Sequence, residues 1–155
     1  MLTFPHTVVA AAIVKLIPNP LISLPLALAS HFFLDFAIPH WNPHLYTEYK
    51  KNGKISKKSI TVILIDGLLA FFLCLYILLY YWPNIQDIAV YAAAIFLATL
   101  PDTIEIPYYF LKCKSQWLKK YVNFEHKHQS NGSFAWGMIT QLIVVVFGLL
   151  IFFSK

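Results

Sequence analysis

His31 and Asp35 stand four residues apart in the stretch "SHFFLDFAIPHWNPH" (30–44), and His40 and His44 follow within nine positions of the acid. On a helix an i,i+4 pair shares one face. There an imidazole and a carboxylate can act as two metal ligands, or as one ligand and the acid that orients it. The competing reading is a buried His–Asp hydrogen bond that locks two helices together. A polar pair set deep in an apolar run favours the functional reading, because packing alone rarely justifies its cost.

Four further places carry the same residue types. His6 precedes the first apolar run in "FPH". "LPDTIE" presents Asp102 as a helix N-cap with Glu105 three residues on, in the manner of a capping box. A capping carboxylate keeps one oxygen free for a metal. "EHKHQSNG" sets His126 and His128 at i,i+2, a spacing that aims both at one point only in an extended or turning segment. Gln129 and Asn131 could hydrogen-bond a substrate or its leaving group. Asp66 is the deepest acid, either a site residue or a hydrogen-bonded packing contact between helices.

Taken together, His6, His31, Asp35, His40, Asp102, His126 and His128 form the expected metal-ligand set. Mixed imidazole and carboxylate donors suit zinc, with manganese or iron an option where two ions bind. Such a centre points to metal-assisted hydrolysis, with Asp66 or Asp35 as general base.

The elements that must position these residues are membrane helices. The 155-residue chain is 59% hydrophobic and 12% charged, about half the charge of a soluble domain. Its twelve basic residues are all lysine, and the lack of arginine argues against a nucleic-acid partner. Cys74 and Cys113 form no metal motif and no disulfide framework. No basic residue precedes the apolar N-terminal stretch, so we expect it to remain as part of the fold and not to be cleaved as a signal peptide.

A helical crossing takes about 20 apolar residues. Thr7–Ile17 is too short to cross alone without tilt or thinning, and "IPNP" breaks it. Leu21–Ile38, Ser59–Trp82 and Phe134–Phe153 are long enough, and Ile85–Leu100 returns to stop at "LPD". Between the last two runs, Tyr108, Leu111, Leu118 and Tyr121 alternate with lysines, as in a helix lying in the interface. The prediction is an all-α integral membrane bundle of four to five segments plus that amphipathic helix, in a single transmembrane domain over 1–155.

Folding the runs antiparallel puts ten of the twelve lysines, all but Lys15 and Lys155, on one side. By the positive-inside rule that side is cytoplasmic. All six histidines fall on it too, although histidine played no part in the assignment.

The set "FPH…SHFFLDFAIPH…LPD…EHKHQ" resembles the small bacterial inner-membrane proteins described as membrane-bound metal-dependent hydrolases, also as LexA-binding, inner-membrane hydrolase-like. The resemblance implies a multi-span bundle with a zinc-type hydrolytic site. It implies His6 as an N-terminal His, Asp102 as a Pro-Asp acid, His126 and His128 as a His-rich stretch, and His31 with Asp35 as a His–Asp helix motif. The function expected is hydrolysis of an ester or phosphoester at the cytoplasmic face of the inner membrane, with membrane lipids as surroundings and an anionic lipid or prenyl phosphate as substrate. The alternatives are a metal or proton transporter, which should carry polar residues at the midplane of both halves, and a non-catalytic structural or partner-binding membrane protein.

Overall fold

A computed structural model describes residues 1–154. Seven helices follow in order: α1 Thr3–Leu16, α2 Pro20–Ala37, α3 Leu45–Asn52, α4 Lys57–Tyr80, α5 Ile85–Tyr109, α6 Gln116–His128 and α7 Phe134–Phe153. Four of them, α2, α4, α5 and α7, are long and apolar enough to cross a membrane. The protein is a helical membrane bundle.

The short first helix takes the centre. At 14 residues α1 is about 21 Å long, well under the roughly 30 Å of a hydrocarbon core. It packs against α2, α4, α5 and α7 at once. Its sequence suits that place, since Val8, Ala10, Ala11, Ala12 and Val14 are all buried and small side chains let neighbouring backbones come close. A Cβ on Gly148 of α7 would meet Val8 Cγ1 at 2.5 Å. The spans around α1 turn narrow stripes inward: Ser59, Asp66, Ala70 and Ile77 on α4, and Gly137, Gln141, Gly148 and Phe152 on α7. Their other faces are open and apolar, as lipid requires.

One boundary differs from the expectation. The fourth run does not stop at Leu100. Helix α5 continues through Pro101 and Pro107 to Tyr109, so Asp102 is not an N-cap but lies inside a helix. Proline removes a backbone donor, the one that would serve the carbonyl four residues earlier, and membrane helices tolerate this where neighbouring helices pack around them. The Thr99 hydroxyl donates to the Ile95 carbonyl (2.9 Å), and Thr103 donates to that of Thr99 (2.9 Å). Further along, the polar 39–58 segment holds a short helix, α3, ended by Gly53 in the left-handed region at φ 64°.

The amphipathic helix is α6, which buries Leu118, Val122 and Glu125. It packs across the site end of the bundle, with Phe124 against Phe36 of α2 and Leu118 and Val122 clustered with Tyr109 of α5. The chain after α6 is clipped to the chain after α2. His40 N–H donates to the Ser130 carbonyl (3.0 Å), Gly132 N–H to that of His40 (2.8 Å), and Ser130 N–H to that of Asp35 (2.8 Å).

A buried candidate metal centre

Helices α1 and α2 carry the two central imidazoles. His6 and His31 stack with ring centroids 4.2 Å apart and planes 24° from parallel, and both are buried. The His31 Nδ1–H donates to the Ala98 carbonyl of α5 (2.8 Å). That bond fixes the ring and leaves Nε2 as the lone-pair nitrogen, the arrangement a metal-ligating histidine needs. Its Nε2 lies 3.9 Å from Asp35 Oδ2 and 4.0 Å from Asp102 Oδ1.

These gaps are too long for hydrogen bonds, whereas donors around one tetrahedral zinc-class ion sit roughly 3.4 Å apart, given metal–donor bonds of about 2.1 Å. Two overlapping groups come near that spacing without reaching it: His6, His31 and Asp102, and His31, Asp35 and Glu125, each with donor atoms within 4.8 Å of one another. His6 Nε2 is 3.1 Å from Asp35 Oδ1, yet neither His6 ring nitrogen makes an aligned hydrogen bond. A buried ring with both nitrogens unserved is costly as pure packing. Asp35 also pairs with the Met1 amine and accepts a 3.4 Å hydrogen bond from Gln129 Nε2. The donor chemistry fits one or two zinc-class ions.

Three groups of the centre, Asp35, Asp102 and Glu125, reach a cavity of about 330 Å³, whereas His6 and His31 are not on its wall. Asp35, Asp66, Asp102, Glu105 and Glu125 all line it, together with apolar groups from Leu2 to Phe110. Among the described residues, Glu105 has no hydrogen bond or ion pair to protein, and Asp102 has only His31 Nε2 at 4.0 Å. Burial pushes the Glu125 carboxyl above the ordinary range, with Asp35 and Asp102 adding to the effect and His31 opposing it. Tyr121 holds Glu125 from behind, its hydroxyl donating to Oε1 at 3.1 Å.

No family model matches this sequence, and no curated protein or solved structure matches it either. The site therefore rests on its own geometry.

Of the residues picked out by sequence, His6, His31, Asp35 and Asp102 converge. The others are placed elsewhere. Asp66 lines the cavity, but both its oxygens serve the start of α1: Thr3 N–H donates to Oδ2 (2.6 Å) and Phe4 N–H to Oδ1 (3.1 Å). It closes a helix N-terminus from a different helix, which satisfies free donors and opposes the helix dipole. Asp66 thereby sets how far α1, and His6 with it, is inserted.

His40 is fully buried at the α2–α6 clip, its Nδ1–H donating to the Ile38 carbonyl (2.9 Å) and its Nε2 without a partner. Burial lowers its pKa to about 4. It belongs to neither ligand group. His126 and His128 do not join the centre, because α6 stays helical through His128 and turns them apart. His126 stacks on Tyr46 at 3.9 Å, and burial, aided by Lys50 and His44, lowers its pKa. His128 is exposed, with Nδ1–H donating to the Phe124 carbonyl (2.8 Å).

Glu125 is the residue that sequence reasoning missed. The "HKH" beside it drew attention, whereas Leu118, Val122 and Glu125 share the inward face of α6. An acid at a buried register position was the available signal.

Proposed function

We propose that this protein is a metal-dependent hydrolase embedded in a membrane, acting on an ester or phosphoester of an amphiphile at the membrane surface. The observation that carries the reading is the convergence of His6, His31, Asp35, Asp102 and Glu125, from four different helices, beside a 330 Å³ cavity whose wall includes the three carboxylates. Buried carboxylates such as Asp35 and Glu125 cost several kcal/mol each to bury as charges. A bound cation offsets that cost in a way neighbouring helices do not.

A zinc-class ion, when bound, supplies Lewis acidity toward the reacting oxygen and eases deprotonation of a water. His31 is held by the Ala98 carbonyl and His6 by its stack on His31, so both rings are oriented before any ligand arrives. Glu105 sits across the same cavity, unbonded, on the turn of α5 that follows Asp102. It is the group free to accept the proton from the attacking water and pass it to the leaving oxygen. Asp35, engaged by His6, Gln129 and the Met1 amine, orients the pair, and Asp66 positions α1.

The ten lysines gathered at the site's end of the bundle support a cytoplasmic placement by the positive-inside rule. They also favour an anionic amphiphile such as a phospholipid or prenyl phosphate. The resemblance described above favours a bacterial inner membrane.

The test is turnover of a panel of phosphoester and carboxylester amphiphiles in detergent by zinc-loaded protein. Parent protein should hydrolyse at least one class, and Glu105→Gln should abolish turnover while keeping its metal. Undiminished turnover in Glu105→Gln would remove that residue from the chemistry. A metal-loaded parent inert on every class would remove the hydrolase reading.

A further inference from the structure

We infer that the cavity takes its ligand sideways from the bilayer, and that the slot between α4 and α5 past Gly67 is the binding site for a hydrocarbon chain of a lipid. The inference rests on the hydrolase reading only for what happens to the lipid afterwards.

The two helices that flank the slot meet at the end of the bundle far from the centre. There Leu73, Cys74 and Ile77 of α4 pack with Tyr91, Ala94, Ile95 and Ala98 of α5. Toward the site they part, and both line the cavity: Ile63, Asp66 and Gly67 from one side, Thr99, Thr103 and Ile106 from the other. Gly67 is exposed, and a Cβ built on it would meet nothing within 4 Å. Opposite, Ile106 is 47% exposed, and Phe110 at the end of α5 is 42% exposed.

The hydroxyls of Thr99 and Thr103 are turned back onto α5 carbonyls. Apart from the Asp66 carboxylate, which the Thr3 and Phe4 N–H groups engage, the slot thus presents hydrocarbon and no free donor. Depth decides what fills it. Gly67 lies ten residues along α4 from Lys57, about 15 Å at 1.5 Å per residue. With the lysines at the interface, that is the level of acyl chains and not of water.

The other end of the same cavity is polar, formed by Asn42, Pro43 and His44 of the loop after α2. A molecule with its chain in the slot and its headgroup at that loop would lay its linkage against Asp35, Asp102 and Glu125. A partner helix could cover an apolar slot, but it would have no use for carboxylates behind it. A lipid ester would.

Photo-crosslinking tests this without requiring catalysis. Purified protein is reconstituted in phosphatidylethanolamine–phosphatidylglycerol vesicles containing phosphatidylglycerol with a diazirine near one chain end, irradiated, and mapped by peptide mass spectrometry. The expected result is adducts on cavity-wall residues around Asp66 and Thr99, lost in Gly67→Trp and in Ile106→Trp. Leu68→Trp, which places the same side chain on a lipid-exposed position outside the cavity, should label like the parent. Adducts confined to outward positions such as Leu64 and Phe96 in the parent, or interior adducts that persist in a folded Gly67→Trp, would overturn the inference. Interior adducts in a protein that hydrolyses nothing would sustain the lipid site and refute the hydrolase. Hydrolysis without interior adducts would do the reverse.

Discussion

His6 and His31 lie face to face, 4.2 Å between ring centroids, although they stand 25 positions apart and a turn at the far end of the bundle joins their helices. The stack exists because α1 is buried among the spans at a set depth, and the residue that sets the depth is Asp66. Asp66→Ala should lower thermal stability by about 2 kcal/mol, the scale of hydrogen bonds to a charged group, and weaken metal binding by letting α1 shift. Asp66→Asn keeps an acceptor and should recover part of both losses. If Asp66 were instead the general base, Asn would be as inactive as Ala while stability stayed at the parent's level. Melting curves and turnover on the same two variants distinguish these cases.

The glycines of α7 make a second test of the packing. A Cβ on Gly137 would lie 2.6 Å from the backbone carbon of His40, which cannot turn aside, whereas one on Gly148 would meet the tip of the Val8 side chain. Gly137→Ala should therefore cost more than Gly148→Ala, with the former in the range of about 1–3 kcal/mol for overpacking. Adding Val8→Ala should rescue Gly148→Ala and leave Gly137→Ala unchanged. Equal losses in the two glycine variants would contradict the close approach of α7 to the His40 loop.

His40 predicts an acid sensitivity that is independent of metal. Its ring is buried and titrates near 4, below the ordinary 6.5, so the unfolded chain binds a proton that the folded chain refuses. Stability then falls as pH drops from about 6.5 toward 4. In chelator-treated protein, His40→Phe should flatten that decline relative to the parent. Parallel melting-temperature profiles for the two proteins would show that His40 contributes nothing to it.

Cysteine accessibility checks the sidedness on which the cytoplasmic placement depends. Lys54→Cys and Lys120→Cys should label from the same side in intact cells, and Asn84→Cys from the opposite one. Labelling of all three from one side would break the antiparallel arrangement of α4, α5 and α6.

Much of this fold was legible because hydrocarbon imposes simple rules. Phe134–Phe153 has the same bounds in sequence and structure, and α2 and α4 differ from their runs by one or two residues at each end. The bundle's centre was not legible. Thr7–Ile17, the run that becomes α1, reads as an inadequate span, and nothing in its pattern says that four neighbours enclose it. Pro101 reads as a stop at "LPD" because propensity cannot see that α5 packs against α1 and α2, which hold the helix through the proline.

At the site, spacing brought out His31 with Asp35, and depth brought out His6 and Asp102. The "HKH" motif misled for a local reason. In a helix that runs to its last histidine, i,i+2 residues face apart, and the inward position belonged to Glu125.

Metal content tests the central claim most directly. Protein purified without chelator should carry about one or two equivalents of a zinc-class ion, as the donor set implies. His31→Ala, which removes the ring common to both ligand groups, should lose it, and Glu125→Ala should lose part of it. His128→Ala, on the exposed side of α6, should match the parent. Elemental analysis of the four folded proteins gives the answer, and equal metal in His31→Ala and the parent would contradict the account.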